Sequence, residues 1–151
     1  MFLKKKTYIG AQYEHRNVKG KVEITIDGKP VNINFNRIGT ISEDVGYWRK
    51  ANAIHKWFVD NCQDGEDDCR ETYVSEEQLT ALLNVCKQVK ANHKLSESLL
   101  PPSAGFFFGG TEIDEGYFED LDDTIKIIED LLSEKGDKDY LDFEVFYRSS
   151  W

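Results

Sequence analysis

Two short runs, Val22 to Ile26 and Val31 to Phe35, alternate apolar and polar residues on either side of Asp27-Gly28. Alternation with period two sends successive side chains to opposite faces of a strand. An Asp-Gly pair supplies the positive backbone angles of a tight hairpin turn. The pattern predicts an antiparallel hairpin with Val22, Ile24, Ile26, Val31, Ile33 and Phe35 on one buried face. Thr7 to Tyr13 reads as a strand before it. Leu141 to Tyr147 alternates again and is expected to return to the same sheet.

Between these strands the apolar period changes to that of a helix. Ser42 or Glu43 opens a predicted aromatic helix running to about Asn61, with Tyr47, Ala51, Ile54 and Phe58 as its core stripe. Trp48, Asn52, His55 and Val59 fall on one shoulder of that stripe, Lys50 and Trp57 on the other. Arg49, Lys56 and Asp60 point outward. Thr72 to Val74 forms a short extended piece. Ser75 and Gln78 then make a capping box, in which each side chain satisfies the other's backbone amide. The helix behind it carries Leu79, Leu82, Leu83, Cys86 and Val89 and fades near Asn92. A third helix is predicted over residues 113 to 133, with Tyr117, Leu121, Ile125, Ile128 and Leu132 inward. This order argues for an α+β domain spanning residues 1–151: a small antiparallel sheet, from the N-terminal strands and the C-terminal strand, packed on three helices.

Composition narrows the function classes. A formal charge of −9 opposes direct nucleic-acid binding, which relies on phosphate neutralisation. No apolar run approaches the ~20 residues of a membrane span, and Met1 to Lys6 lacks the apolar region of a signal peptide. Cys62, Cys69 and Cys86 are sparse and odd in number, which points to reduced thiols and a cytoplasmic location.

Residues that could carry chemistry cluster in the aromatic helix. Asn52 and His55 are neighbours on one face, Trp48 could stack on a planar ring, and Arg49 and Lys50 could meet phosphates or carboxylates. His55 is the one histidine whose setting suits acid–base work, since His15 and His93 read as surface or turn residues. Asp60, Asp64, Gly65, Asp68 and Glu71 fall on a degraded calcium-loop spacing, with Cys62 where a hard oxygen ligand belongs. The cysteines lack the close pairs of a structural zinc site, so no metal and no cofactor is expected. Gly109-Gly110-Thr111 precedes a helix as an anion-binding turn does, but acids fill the first helical turn and no lysine follows. Residues 112 to 134 hold ten acids and one lysine, an array that could mimic a phosphate backbone toward a partner protein.

Tyr47-Trp48-Arg49-Lys50, Asn52, His55, Trp57-Phe58, Asp67-Asp68-Cys69, Leu100-Pro101, the loop Gly105-Phe106-Phe107-Phe108-Gly109 and the final Ser149-Ser150-Trp151 resemble an uncharacterised family of small phage- and prophage-associated proteins. The resemblance runs from about Lys5 to Trp151. Relatives of that family begin Met-Gly-Leu-Asp-Met, whereas this chain begins Met1-Phe2-Leu3-Lys4 and lacks the acid. The resemblance implies provenance and a shared site, not a reaction. Together with the residues it predicts that Trp48, Arg49, Lys50, Asn52, His55, Thr111 and Trp151 bind a small polar or nucleotide-like ligand. A phage-linked protein of this kind could sequester a host signalling nucleotide. Two other expectations stand beside it: an acidic inhibitor that binds a host protein, and a small enzyme using His55.

Overall fold

The computed structural model describes residues 1–16, 19–104, 110–136 and 141–150. Six strands and four α-helices follow in the order β1 (Phe2–Tyr8), β2 (Ile24–Ile26), β3 (Lys29–Val31), β4 (Thr40–Tyr47), α1 (Asn52–Cys62), β5 (Thr72–Val74), α2 (Glu76–Ala91), α3 (Ser96–Leu99), α4 (Glu115–Gly136) and β6 (Phe143–Arg148). The architecture is α+β. An antiparallel sheet of order β4-β1-β6-β5 packs one face on three long helices, and α3 is a single turn. The last strand returns to the sheet as expected, beside the first. No helix among the described residues is long and apolar enough to cross a membrane.

Alternation sorts the sheet residues. Leu3, Phe143, Val145 and Tyr147 enter the core, while Phe2, Lys4, Phe146 and Tyr73 lie on the open face. Lys5 also points inward, clamped between Glu134 of α4 at 2.8 Å and Glu43 of β4 at 2.9 Å. Burial works against its charge, but the two carboxylates outweigh it and hold the amine above its ordinary value. The capping box forms as the sequence predicts, with Ser75 accepting from the Gln78 amide and Gln78 from the Ser75 amide. Lys87 and Lys90 of α2 meet Glu129 and Asp122 of α4, so the acidic face of α4 is partly neutralised within the fold.

Several expectations are corrected. The first strand spans Phe2–Tyr8, earlier than Thr7 to Tyr13. Residues 40–47 are β4, not the start of the aromatic helix, which opens only at Asn52. Lys4 and Lys5 of β1 sit across from Asp44 and Glu43, and Gly46, a poor helix former, lets Leu3 and Ile127 approach closely. Ala51, Ile54 and Phe58 are buried as expected, but Tyr47 stands 59% exposed at the sheet edge. The hairpin turns at Asp27 and Gly28, both at positive φ, but its second strand is Lys29–Val31 rather than Val31 to Phe35, so that Ile24 pairs with Val31 and Ile26 with Lys29. Its apolar face is nonetheless uncovered, since Ile24, Ile26, Val31 and Ile33 are all exposed.

Candidate functional site

The chain leaves β4 at Tyr47 and enters α1 at Asn52, and the residues between them build the edge of a cleft. Trp48 turns inward and is 2% exposed, its ring against Phe58 at a centroid distance of 6.1 Å. Its Nε1 donates to Thr124 Oγ1 at 3.0 Å, and Thr124 donates to the Asp120 carbonyl at 2.6 Å. Trp48 therefore ties the end of β4 to α4. It offers no free ring face, so the stacking role read from the sequence does not hold.

Arg49 and Lys50 turn outward. Lys50 adopts φ 68°, a left-handed conformation rare for a side-chain-bearing residue, at the corner between strand and helix. Neither cation forms an ion pair with a described residue. Lys4, Lys5, Lys6, Lys87, Lys90 and Lys135 all do. Lys19, Lys29, Arg37, Lys94, Lys126 and Arg148 likewise form no ion pair with a described residue, so what distinguishes Arg49 and Lys50 is their place side by side on the wall of the cleft at the start of α1. Behind them α1 starts at Ala51 with no side-chain cap. Its first amides keep their donors, and the positive end of the helix dipole adds to the field.

Asn52 is buried and its Nδ2 donates to the Gly110 carbonyl at 2.9 Å, fixing the segment that leads into α4. Across from it Asp114 caps α4 by accepting from the Tyr117 amide at 3.1 Å. Between these two helix starts lies a cleft of about 330 Å³, with Arg49, Lys50 and Asn52 on one wall and Asp114, Glu119 and Asp120 on the other. Burial, then the neighbouring carboxylates of Asp123, Glu119 and Asp114, pushes the Asp120 carboxyl up to about 6. The cleft is electrically divided: cations and helix amides face a wall of acids, one of which binds a proton unusually well.

His55 does not reach this cleft. It is 4% exposed, with Nδ1 2.6 Å from the Tyr147 hydroxyl and Nε2 2.9 Å from Asp67 Oδ2. Burial, then Asp67, Cys69 and Cys62, raises the Tyr147 phenol far above its ordinary range, so it keeps its proton and can donate. The consistent arrangement is Tyr147 O–H to Nδ1 and Nε2–H to Asp67. This relay joins β6, α1 and the acidic loop, and it occupies both ring nitrogens, which leaves neither for a substrate. Nearby, Gln63 Nε2 donates to Arg70 O and Thr72 Oγ1, each at 3.2 Å, and closes the same loop.

The other candidates separate. Thr111 is exposed next to Gly110 but does not line the cleft. Trp151 and the Gly105 to Gly109 loop lie outside the described residues. The calcium-like spacing dissolves into separate contacts: Asp60 with Lys56, Glu71 with Lys6, and Asp68 with the Arg70 amide. Among the described residues no three His, Cys, Asp or Glu side chains are grouped to hold a metal. Sequence reasoning missed Asp120 and Thr124, because acids and a lone threonine on a charged helix read as its solvated face. Comparison with protein-family models, with curated proteins and with solved structures returns no match to this chain.

Proposed function

We propose that this protein binds a small polar ligand bearing both an anionic group and an ammonium or hydroxyl-rich part, held in the cleft between α1 and α4. The observation that carries the reading is the unpaired Arg49–Lys50 corner at the uncapped start of α1, facing Asp120 across an open cleft. Carboxylate or phosphate suits the cationic wall and the free amides. The acid wall repels a simple anion, and a hydrogen-bond donor or ammonium on the same ligand relieves that repulsion.

Size refines the class. About 330 Å³ equals roughly eleven waters at ~30 Å³ each, near the lower bound for ligand pockets. An amino acid, an amino sugar or a sugar phosphate fits, whereas a whole nucleotide would overhang without a stacking partner. The phage-linked role, capture of a host metabolite or signal, rests on the sequence resemblance. The His55 enzyme reading has no geometric support, and the ion pairs between α2 and α4 weaken the nucleic-acid-mimic reading.

Native mass spectrometry of the protein purified from its expression host, followed by denaturing release, reads any bound molecule directly. Calorimetry with small carboxylates and phosphates, each with and without an amino group, then tests the class. Aminated members should bind best, and Arg49→Ala and Lys50→Ala should each weaken them at least tenfold, the worth of one charge-assisted hydrogen bond. Equal binding by both variants and the parent protein would defeat the reading.

A further inference from the structure

The cleft leaves another feature unexplained. From Ala11 to Val45 no described residue is buried, yet this stretch holds exposed Tyr13, Ile24, Ile26, Val31, Ile33 and Ile41. It leaves the sheet where β1 and β4 end, as a ladder continued by Ala11 N donating to Ile38 O at 3.1 Å. Within it β2 and β3 form a sheet of their own. Ile24 pairs with Val31 and Ile26 with Lys29, so these four side chains share one face. An isolated hairpin is marginal in water, and an alternating apolar face that its own domain does not cover marks an interaction surface.

Charge selects the occupant. Residues 11 to 39 carry five cations and three acids, a formal +2 in a chain of −9. The body offers a groove of about 370 Å³ between β4 and α4, with Val45, Ile127 and Leu131 as an apolar floor and three acids to one cation around it: Asp123, Asp130 and Glu134, the last already paired with Lys5, and Lys126. An apolar face flanked by lysines thus meets its complement on the same molecule. Geometry selects the mode. β4 is an edge strand, paired only with β1 among the described strands. The arm leaves at its Thr40 end, whereas the groove opens at Val45, five residues and ~17 Å along the strand at ~3.3 Å per residue. An antiparallel pair of β4 edges sets the Thr40 end of one copy beside the Tyr47 end of the other.

We propose that the chain forms a two-fold dimer in which the 11–39 arm of each copy lays the Ile24, Ile26 and Val31 face into the β4–α4 groove of the other. The two β4 edges run side by side, which also closes an edge that would otherwise template aggregation. This surface is separate from the α1–α4 cleft, and its occupancy does not depend on the ligand proposal.

Sedimentation velocity of the full chain across micromolar concentrations tests the dimer against a chain mass of 17.4 kDa. The expected species has twice that mass. Ile26 is buried twice in a two-fold, so Ile26→Asp should weaken association by roughly a hundredfold. Asp130→Lys should weaken it from the other side, and adding Lys29→Glu to Asp130→Lys should restore part of the loss. Carbodiimide coupling should link Lys29 to Asp130 in the dimer band alone. A monomer at every concentration overturns the proposal. A dimer indifferent to both Ile26→Asp and Asp130→Lys, with each variant folded by circular dichroism, overturns it equally.

Discussion

Asp120→Asn isolates the most unusual electrostatic feature of the cleft. In the folded protein the carboxyl is pushed from 3.8 to about 6, first by burial and then by Asp123, Glu119 and Asp114. A group whose folded value is raised prefers its protonated form in the fold. Its ionisation therefore opposes folding above pH 6, and that penalty is relieved as pH falls from 6 toward 4. Two units correspond to ~3 kcal/mol if fully felt. Asp120 is only half-buried, and solvent screening reduces this to ~1–2 kcal/mol. The amide has nearly the same shape and no charge to desolvate. Urea melts of both proteins at pH 4, 6 and 7.5 should show Asp120→Asn more stable by ~1–2 kcal/mol at pH 7.5, a rise of roughly 2–8 °C in Tm. The advantage should vanish at pH 4. A variant less stable at pH 7.5, or one that gains equally at pH 4 and 7.5, would refute the electrostatic account. The same change should shift ligand preference from aminated anions toward simple anions, because it removes the charge that an ammonium group would meet.

Other perturbations follow from single contacts. A Cβ at Gly46 would sit 3.2 Å from two Ile127 carbons and from Leu3 Cβ, so Gly46→Ala should cost ~1–3 kcal/mol by overpacking, whereas Gly136→Ala, with open space around it, should be neutral or stabilising in the same melt. Tyr147→Phe removes the buried bond to His55 and should cost ~1–3 kcal/mol while calorimetry finds ligand affinity unchanged, in contrast to what a catalytic histidine site would give. Trp48→Phe deletes the bond to Thr124 and should destabilise by ~1–3 kcal/mol, measured by urea melts; a loss of ligand affinity without loss of stability would return Trp48 to the site.

What the sequence made legible was local. The Ser75 capping box, the Asp27-Gly28 turn, the α2 apolar stripe and the return of the last strand each depend on residues a few positions apart, or on a period that any such strand must show. The misreadings share one cause. Residues 43 to 47 fit a helical period as well as an extended one, and pairing with Lys4 and Lys5 of β1, some forty positions away, decides between them. Arg49, Lys50 and Asn52 converge on one cleft, but Trp48 and His55, read as their companions, are claimed by Thr124 and by Tyr147 with Asp67. A helical wheel assigns side chains to faces; it does not say which face a distant helix will cover. The hairpin carries this further. Its alternation reads Ile24, Ile26 and Val31 as a buried face, yet the domain leaves them exposed, because nothing in the period states whose atoms provide the cover. Where the domain's own core does not reach such a face, the pattern describes an interface, and the acid-rimmed groove beside β4 is the surface of this molecule that matches it.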